Sequence, residues 1–324
     1  MLTKTSLLAL AVSFALSFGV PAHAQAYPHK PVRLIVGLPA GGGVDITARI
    51  TGAKLSEFWG QQVVVENRPG AGTTIAADIV AKATPDGYTL LQCGIGSHGI
   101  APSLYKKLPY DHIKDFAPIS IIGTTPNVLV VHPAVPVKSM SEFIAYAKAN
   151  PGKLSYGSAG AGSSPHLTME LFKSMTAIDI VHVPYKGGPP ALADVLGGQI
   201  PAVVDILSTL VAPVKAGKLR ALGVTSAKRH ALLPEVPTIA ESGVPGFAVT
   251  SWSGMCAPAA VPKPIIAKLN ADVAKALNMP DVLRRLAEQG VEAVPSSPEQ
   301  FATFIKSETI KWAKVVKDAG ATVE

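Results

Sequence analysis

Two glycine-rich turns, each placed where an apolar run gives way to a helical pattern, constrain this chain more than any other feature. The first, Leu38-Pro39-Ala40-Gly41-Gly42-Gly43-Val44-Asp45, follows the apolar run Val32 to Val36. The second, Gly157-Ser158-Ala159-Gly160-Ala161-Gly162-Ser163-Ser164-Pro165-His166, follows Leu154-Ser155-Tyr156. Glycine lets a ligand approach the main chain, and amides at a helix N-terminus point outward with the positive end of the helix dipole. Two such turns facing each other would hold an anion without an arginine. That is the design of a binding cleft more than of a catalytic centre.

The first 24 residues read as an export signal. Lys4 supplies a positive start, Leu7 to Val20 is apolar, and Ala22-His23-Ala24 fits the small-x-small rule for cleavage after Ala24. The apolar stretch is shorter than the roughly 20 residues of a spanning helix, and no later stretch is long and apolar enough to span. No cysteine follows the cleavage site, which argues against a lipid anchor. The mature chain would begin at Gln25 outside the cytoplasm, with ample length for a large core in two lobes.

Lys4 is the only charge in that segment, so its removal lowers the formal charge from +7 to +6. The basic residues are scattered among acids and the aromatics are few, which describes a solvated surface and not a nucleic-acid face. A mild attraction for anionic solutes remains. Cys93 and Cys256 are the only cysteines, each in an apolar stretch. Burial of that kind favours two free core thiols over a disulfide.

Strand-like runs at Val32–Gly37, Val63–Glu66, Tyr88–Gln92, Ile119–Gly123, Val128–His132, Leu154–Ser158, Ile180–Val183, Ala202–Asp205, Ala221–Thr225 and Val249–Cys256 alternate with helical patterns. Alternation of this kind predicts parallel βαβ units and an α/β architecture. The tail is helical: Pro264–Leu277, Asp281–Gln289, and a last helix opening at Ser297-Pro298-Glu299 and ending at Gly320. Val128–His132 and Val249–Cys256 bracket a self-contained block and suit strands crossing between lobes. One lobe is then expected over 25–123 plus 251–324, and the other over 124–250.

Several ordered segments resemble the periplasmic solute receptors of tripartite tricarboxylate transporters, the Bug proteins. They are Pro39–Asp45, Val65-Glu66-Asn67-Arg68-Pro69-Gly70-Ala71-Gly72, Pro85-Asp86-Gly87-Tyr88-Thr89-Leu90 and the Gly-Ala-Gly-Ser turn before His166-Leu167. Val183-Pro184-Tyr185-Lys186-Gly187, Gly197-Gly198-Gln199, Gly217–Leu222, Val236-Pro237-Thr238 with Glu241-Ser242-Gly243, and Trp252-Ser253-Gly254 with Ala257-Pro258 continue the series. The resemblance implies a two-lobed type II periplasmic binding protein with two crossover strands. It further implies a monomer in the periplasm that captures a small organic carboxylate between its lobes and passes it to membrane permease subunits. The ligand carboxylate would be held by the backbone of Leu38, Pro39, Ala40, Gly41 and Gly42 in one lobe and of Gly160, Ala161, Gly162, Ser163 and Ser164 in the other. The chain departs from the family at Gly37-Leu38-Pro39-Ala40, where a Pro-Phe-Pro or Tyr-Pro-Pro arrangement is usual. It departs again at Thr73-Thr74-Ile75-Ala76, where further glycines are usual.

Individual side chains carry two readings each. Asp45 is placed to cap a helix beginning at Ile46 and equally to accept from a ligand or water. Asp205 ends the apolar strand Val203-Val204-Asp205, where an acid points between lobes more readily than into a core. Ser163 and Ser164 precede Pro165 as helix caps, with ligand contact added by the resemblance. Lys186 is a carboxylate partner or a solvated loop lysine. Ser97 and Thr125 sit beside strands and offer hydroxyls to the cleft. Leu38 and Ile75 suggest room for an aromatic or alkyl acid.

Gly94-Ile95-Gly96-Ser97-His98-Gly99 matches a dinucleotide fingerprint, but in the third βα unit, cut short by Pro102 and without a ribose-binding acid downstream. It reads better as a turn lining the cleft, so no cofactor is expected. His98, His166 and His182 are too scattered for a metal site. No Gly-x-Ser-x-Gly elbow and no phosphate-loop Gly-Lys-Ser/Thr occurs. The reading is a receptor and not an enzyme; its rivals are a secreted hydrolase of a carboxylate or ester, and a ligand sensor for a membrane histidine kinase.

Overall fold

The computed structural model describes residues 27–321; the export signal and its cleavage after Ala24 lie outside the described residues. Strand β1 (Val32–Val36) is buried except at Arg33, the near-continuous apolar run of a strand covered on both faces. It pairs in parallel with β2 (Val63–Asn67) and β3 (Thr89–Gly94). Helix α1 (Gly43–Trp59) crosses from β1 to β2 and ends at Gly60 in the left-handed conformation. After β2 come a 3-10 turn at Ala71–Thr73 and α2 (Thr74–Ala81). After β3 the chain makes a π-helical turn, Ile95–Ile100, and the short α3 (Ala101–Leu104).

Strand β4 (Phe116–Val131) is the spine of the molecule. Its 16 residues extend about 50 Å at strand rise. Phe116 to Pro126 pair antiparallel with β9 (Thr250–Pro258) in the first sheet. Asn127 to Val131 pair antiparallel with β7 (Ala202–Ile206) and Val128 to Val131 with β8 (Arg220–Val224) in the second. The sequence suggested two strands here, separated around Pro126. They fuse because Pro126, which has no amide to donate, falls where the ladder changes partner and no central hydrogen bond is lost. The return is brief: the Val249 amide donates to Thr225 O at 2.8 Å, and β9 starts one residue later.

The second sheet is completed by β5 (Ser155–Ser158), parallel to β7 and to β6 (Val181–Pro184). The strand order is β2-β1-β3-β9-β4-β7-β5-β6. Helices α4 (Met140–Ala149), α5 (Ser164–Thr176), α6 (Gly188–Leu196) and α7 (Leu207–Lys215) connect its strands. The tail folds back on the first sheet as α8 (Lys263–Leu277), α9 (Pro280–Glu288), the two-residue β10 (Glu292–Ala293) and α10 (Pro298–Asp318). Helix α10 opens with a reciprocal Ser297–Gln300 capping box. Its buried Glu308 accepts from the indoles of Trp252 at 2.9 Å and Trp312 at 3.0 Å, pinning the helix to β9.

Contrary to the sequence expectation, Cys93 and Cys256 are joined as a disulfide. The pairing of β3 with β9 sets Cys93 opposite Gly254 and Cys256 opposite Leu91, so the two side chains emerge on one face of adjacent strands. Their Cα atoms are 6.1 Å apart, within disulfide range. Apolar context identified both as buried but could not reveal that distant segments were neighbours. Among the described residues no helix is long and apolar enough to cross a membrane.

Candidate functional site

The first glycine-rich turn is built around Asp45, only 2% exposed. The Gly41 amide and the Arg49 guanidinium donate to its Oδ2, each at 2.9 Å, and the Asn67 side chain donates to its Oδ1 at 2.9 Å. The Asn67 amide also donates to Leu38 O at 2.8 Å, so one residue of β2 holds both ends of the turn. Burial by itself raises the Asp45 pKa, but Arg49, Gly41 and Asn67 together hold it below the usual carboxylate range. The sequence allowed Asp45 either to cap a helix at Ile46 or to accept from a ligand or water. The helix instead starts at Gly43 with Gly42 as its cap, and Asp45 clamps the turn from inside the first helical turn.

The second turn achieves the same shape with neutral groups. Ser163 Oγ donates to Gly160 O at 2.6 Å and accepts from the His166 amide at 3.4 Å as the cap of α5. The Gly162 amide donates to His166 Nδ1 at 3.2 Å. Gly162 has φ +77°, and a Cβ there would press on Leu104, so this position requires glycine. His166 stacks on His182 with ring centroids 4.1 Å apart, and His182 Nε2 is 2.7 Å from Ser158 Oγ. Burial drives the His182 pKa down to about 3 and lowers that of His166 as well.

Between the turns lies a cavity of about 90 Å³. The N-terminal ends of α1, α5 and α7 meet there through Gly43 and Val44, Ser163 and Ser164, and Ile206 and Ser208. The first amides of each helix lack an intrahelical acceptor and direct partial positive charge into the space. A Cβ at Gly43 would overlap Ser208 Oγ, so these two helix ends touch and the cleft is shut. Leu38, Ile95, Trp252 and Cys93 supply apolar wall. Four lining side chains carry buried polar atoms with no protein partner: both amide atoms of Gln92, Thr125 Oγ1, Asp205 Oδ2 and Ser208 Oγ. Groups buried in this state are expected to have partners, and a polar ligand in the cavity would provide them. Asp205 is the one ionisable side chain among the lining residues, apart from the disulfide-bonded Cys93. Its burial pushes its carboxyl up to about 7, against the opposing pull of the Ile206 amide and the Thr209 hydroxyl.

Of the residues singled out from sequence, Leu38, Thr125, Ser163, Ser164 and Asp205 line the cavity. Pro39 instead packs on Gly187 across the cleft mouth. Ala40 and Gly41 are exposed at the tip of the first turn, while Gly42 caps α1. Gly160, Ala161 and Gly162 shape the second turn, with Ala161 O close to Gly72 of the opposite lobe. Ser97 lies behind the wall: its Oγ faces Gly94 O and the neighbouring His98, and Tyr110 donates to its carbonyl. Lys186 is exposed on the surface. Ile75 is 46% exposed and turned onto Gly70, so it does not support an alkyl pocket as Leu38 does. The dinucleotide-like run forms the π-helical turn and contributes Gly94, Ile95 and Gly96 to the wall.

Sequence reasoning missed Gln92, Ser208, Thr47, Thr73 and Ser253, which also line the cavity. Gln92 had a signal, being the one polar side chain between Leu90-Leu91 and Cys93 in a buried strand. Ser208 stands three residues after Asp205 where a strand passes directly into a helix, and nothing in the local pattern marked it.

The fold and this cleft are those of a two-lobed solute-binding protein. Residues 47–321 match the model of the tripartite tricarboxylate transporter family receptor. The chain is 37% identical over 326 residues to Protein BugT of Bordetella pertussis, covering 100% of both chains. R. palustris Rpa4515 with adipate has 40% identity and TM-score 0.89, covering 92% of this chain and 100% of that one. MatC (Rpa3494) from Rhodopseudomonas palustris with bound malate has 35% identity and TM-score 0.85, covering 90% and 100%. This chain belongs to the tripartite tricarboxylate transporter receptor family, whose members are periplasmic solute receptors.

Proposed function

We propose that the chain captures one small organic carboxylate between its turns and delivers it, unaltered, to the membrane permease subunits of a tripartite tricarboxylate transporter. The observation that carries this reading is the meeting of three helix N-termini at a closed cavity whose polar side chains lack partners. The ligand carboxylate accepts from the α1 and α5 amides beside Leu38 and Ser163–Ser164, and closure strengthens both contacts by excluding water. Thr125, Gln92, Ser208 and Asp205 read the rest of the ligand. Gly41, Gly42 and Gly160 to Gly162 shape the turns from behind, and Lys186 and Ser97 take no part. Adipate and malate, bound by Rpa4515 and MatC respectively, are the first compounds to try. The chain works as a monomer in the periplasm after cleavage behind Ala24, and places substrate lobes 25–123 plus 251–324 and 124–250 on either side of the cleft.

A hydrolase would set a nucleophile and its base in the cavity. The serine–histidine contacts of Ser97 with His98 and of Ser158 with His182 involve residues that do not line it, which supports a receptor.

Thermal shift and calorimetry of the chain from Gln25 onward, against mono-, di- and tricarboxylates, test the reading. A ligand at 100 times its Kd should stabilise the protein by about 2.7 kcal/mol and be recovered intact. A compound that binds and is consumed would replace the receptor by an enzyme; silence across all carboxylates would remove the carboxylate site.

A further inference from the structure

The Cys93–Cys256 disulfide has a third neighbour. A ring nitrogen of His98 and the two cysteine sulfurs all lie within 4.8 Å of one another. Among the described residues this is the one cluster of three or more histidine, cysteine or acidic side chains so close together, and capture of a carboxylate makes no use of it. His98 is far from His166 and His182 in the sequence, but the partners that the fold brings to it are sulfurs.

Local structure explains the approach. Cys93 and Cys256 stand on β3 and β9, which pair antiparallel. The π-helical turn Ile95–Ile100 follows β3 at once and folds His98 back toward the strand it has just left. Turns of this type are rare and gather at functional positions. The ring is fixed from several sides: its Nδ1 is 2.9 Å from Ser97 Oγ, Phe116 packs edge-on with centroids 4.7 Å apart, and Thr309 Oγ1 of α10 lies 3.1 Å from the His98 carbonyl. His98 is 0% exposed, yet its Nε2 has no hydrogen-bond partner. A buried polar atom in that state calls for an explanation. With Nδ1–H donating to Ser97, Nε2 keeps the free lone pair of the ring and has the character of a metal ligand.

We infer that Cys93, Cys256 and His98 Nε2 form a site for a thiophilic divalent ion, zinc(II), in the dithiol state of the chain. The chain is synthesised with two thiols. Binding exchanges two S–H bonds for two zinc–sulfur bonds and releases two protons to solvent, with no transfer of electrons. Disulfide formation instead gives two electrons and two protons to a disulfide oxidant, so the ion and the disulfide exclude each other. Tetrahedral zinc needs neighbouring ligand atoms about 3.5–3.8 Å apart, a spacing that fits inside the observed cluster. Charge favours a divalent ion: with two thiolates and a neutral imidazole it sums to zero, and each of the three residues is at most 1% exposed, where a net charge is costly. Thiolate and imidazole ligands suit zinc. Cys93, Gly94 and Ile95 line the cleft, which gives an ion its way in.

The test compares the chain from Gln25 onward in two states: made in a reducing cytoplasm and kept in a phosphine reductant, and oxidised to the disulfide. Competition with a chromophoric zinc chelator should find one ion per reduced chain, bound at least about 100-fold more tightly than by the oxidised chain. X-ray absorption of the zinc-loaded chain should show two sulfurs at about 2.3 Å and an imidazole nitrogen at about 2.0–2.1 Å. His98→Phe keeps an aromatic ring against Phe116 and should weaken zinc by about 100-fold, with circular dichroism checking that it folds. Equal affinity in the two redox states would overturn the inference, as would a zinc shell without sulfur or without imidazole. A folded His98→Phe chain with native zinc affinity would overturn it too. If that variant does not fold, the redox comparison and the absorption spectrum of the native chain decide. None of these readouts depends on carboxylate binding, so the site stands or falls apart from the receptor reading.

Discussion

The two glycine-rich turns present almost the same backbone to the cleft, yet they are held in place by different chemistry. The first is clamped by a buried carboxylate that collects donors from the Gly41 amide, Arg49 and Asn67. The second is held by a serine hydroxyl and an uncharged imidazole that accepts from the Gly162 amide. The lesson is that similar turns can be held by different side chains, and those supports set how firmly each turn stands and under what conditions it loosens.

The largest expected effect comes where the two halves touch. Gly43→Val would drive a branched side chain into Ser208 and Ile206 and wedge the lobes apart at that contact. If the shut form falls below about 1% of the population, apparent Kd rises at least about 100-fold. Calorimetry measures the loss, and small-angle scattering with saturating ligand should find the protein open. Unchanged affinity would mean that capture does not need the two helix ends to meet.

Asp45→Ala comes next. It removes the carboxylate that accepts from the Gly41 amide and the Asn67 side chain, and hydrogen bonds to a charged group are worth about 1.5–3 kcal/mol. Chemical denaturation measures the cost, and hydrogen exchange at residues 38–43 should rise while that at 160–164 does not. Equal loosening of both turns would break the comparison, because it would show that they form one cooperative unit.

These side-chain roles were legible from sequence to unequal degrees. The turns, the alternation of strand and helix, and the last helix with its Ser297 cap and Gly320 stop are local patterns, and the structure reproduces them. The single long β4 was hidden by Pro126, because only the change of partner strand explains why proline is tolerated there. The Cys93–Cys256 link and the approach of Gly43 to Ser208 depend on tertiary neighbours that no local pattern encodes. Asp205 was visible as an acid at a strand end, whereas Gln92 was passed over although it is a lone polar residue in an apolar run. Asp45 shows the remaining gap: its position beside the turn was evident, but its three donors come from elements that fold up around it.

A smaller effect separates the turns by pH. His166 is uncharged in the folded protein with its pKa below the ordinary 6.5, so the unfolded chain binds a proton first as pH falls. Stability therefore declines from about pH 6.5 downward until the folded value is passed. Asp45 has its pKa below the ordinary 3.8, so its contribution is complete above that value and is lost only in stronger acid. At about pH 5 the second turn should exchange its amides faster while the first keeps its protection. In a protein carrying both His166→Phe and His182→Phe this pH-dependent loosening should largely disappear, because His182 beneath the same turn is also held uncharged, although Gly162 loses its acceptor at every pH. Acid loosening of the first turn before the second would reverse the assignment.

The smallest effect tests whether the second turn acts through its backbone at all. Lys186 lies on the loop beside that turn, and a lysine there is the obvious alternative partner for an anion. It is exposed and has no ion-pair partner among the described residues, and an exposed charge of this kind contributes at most about 1 kcal/mol, less in salt. Lys186→Gln should therefore change the Kd for a bound carboxylate by less than about twofold at physiological salt. At low ionic strength a modest fall in association rate is expected, because the charge still helps steer an anion to the cleft mouth. A tenfold loss of affinity that persists at high salt would move recognition from the amides of α5 to a side chain, and the two turns would then differ in kind and not only in their supports.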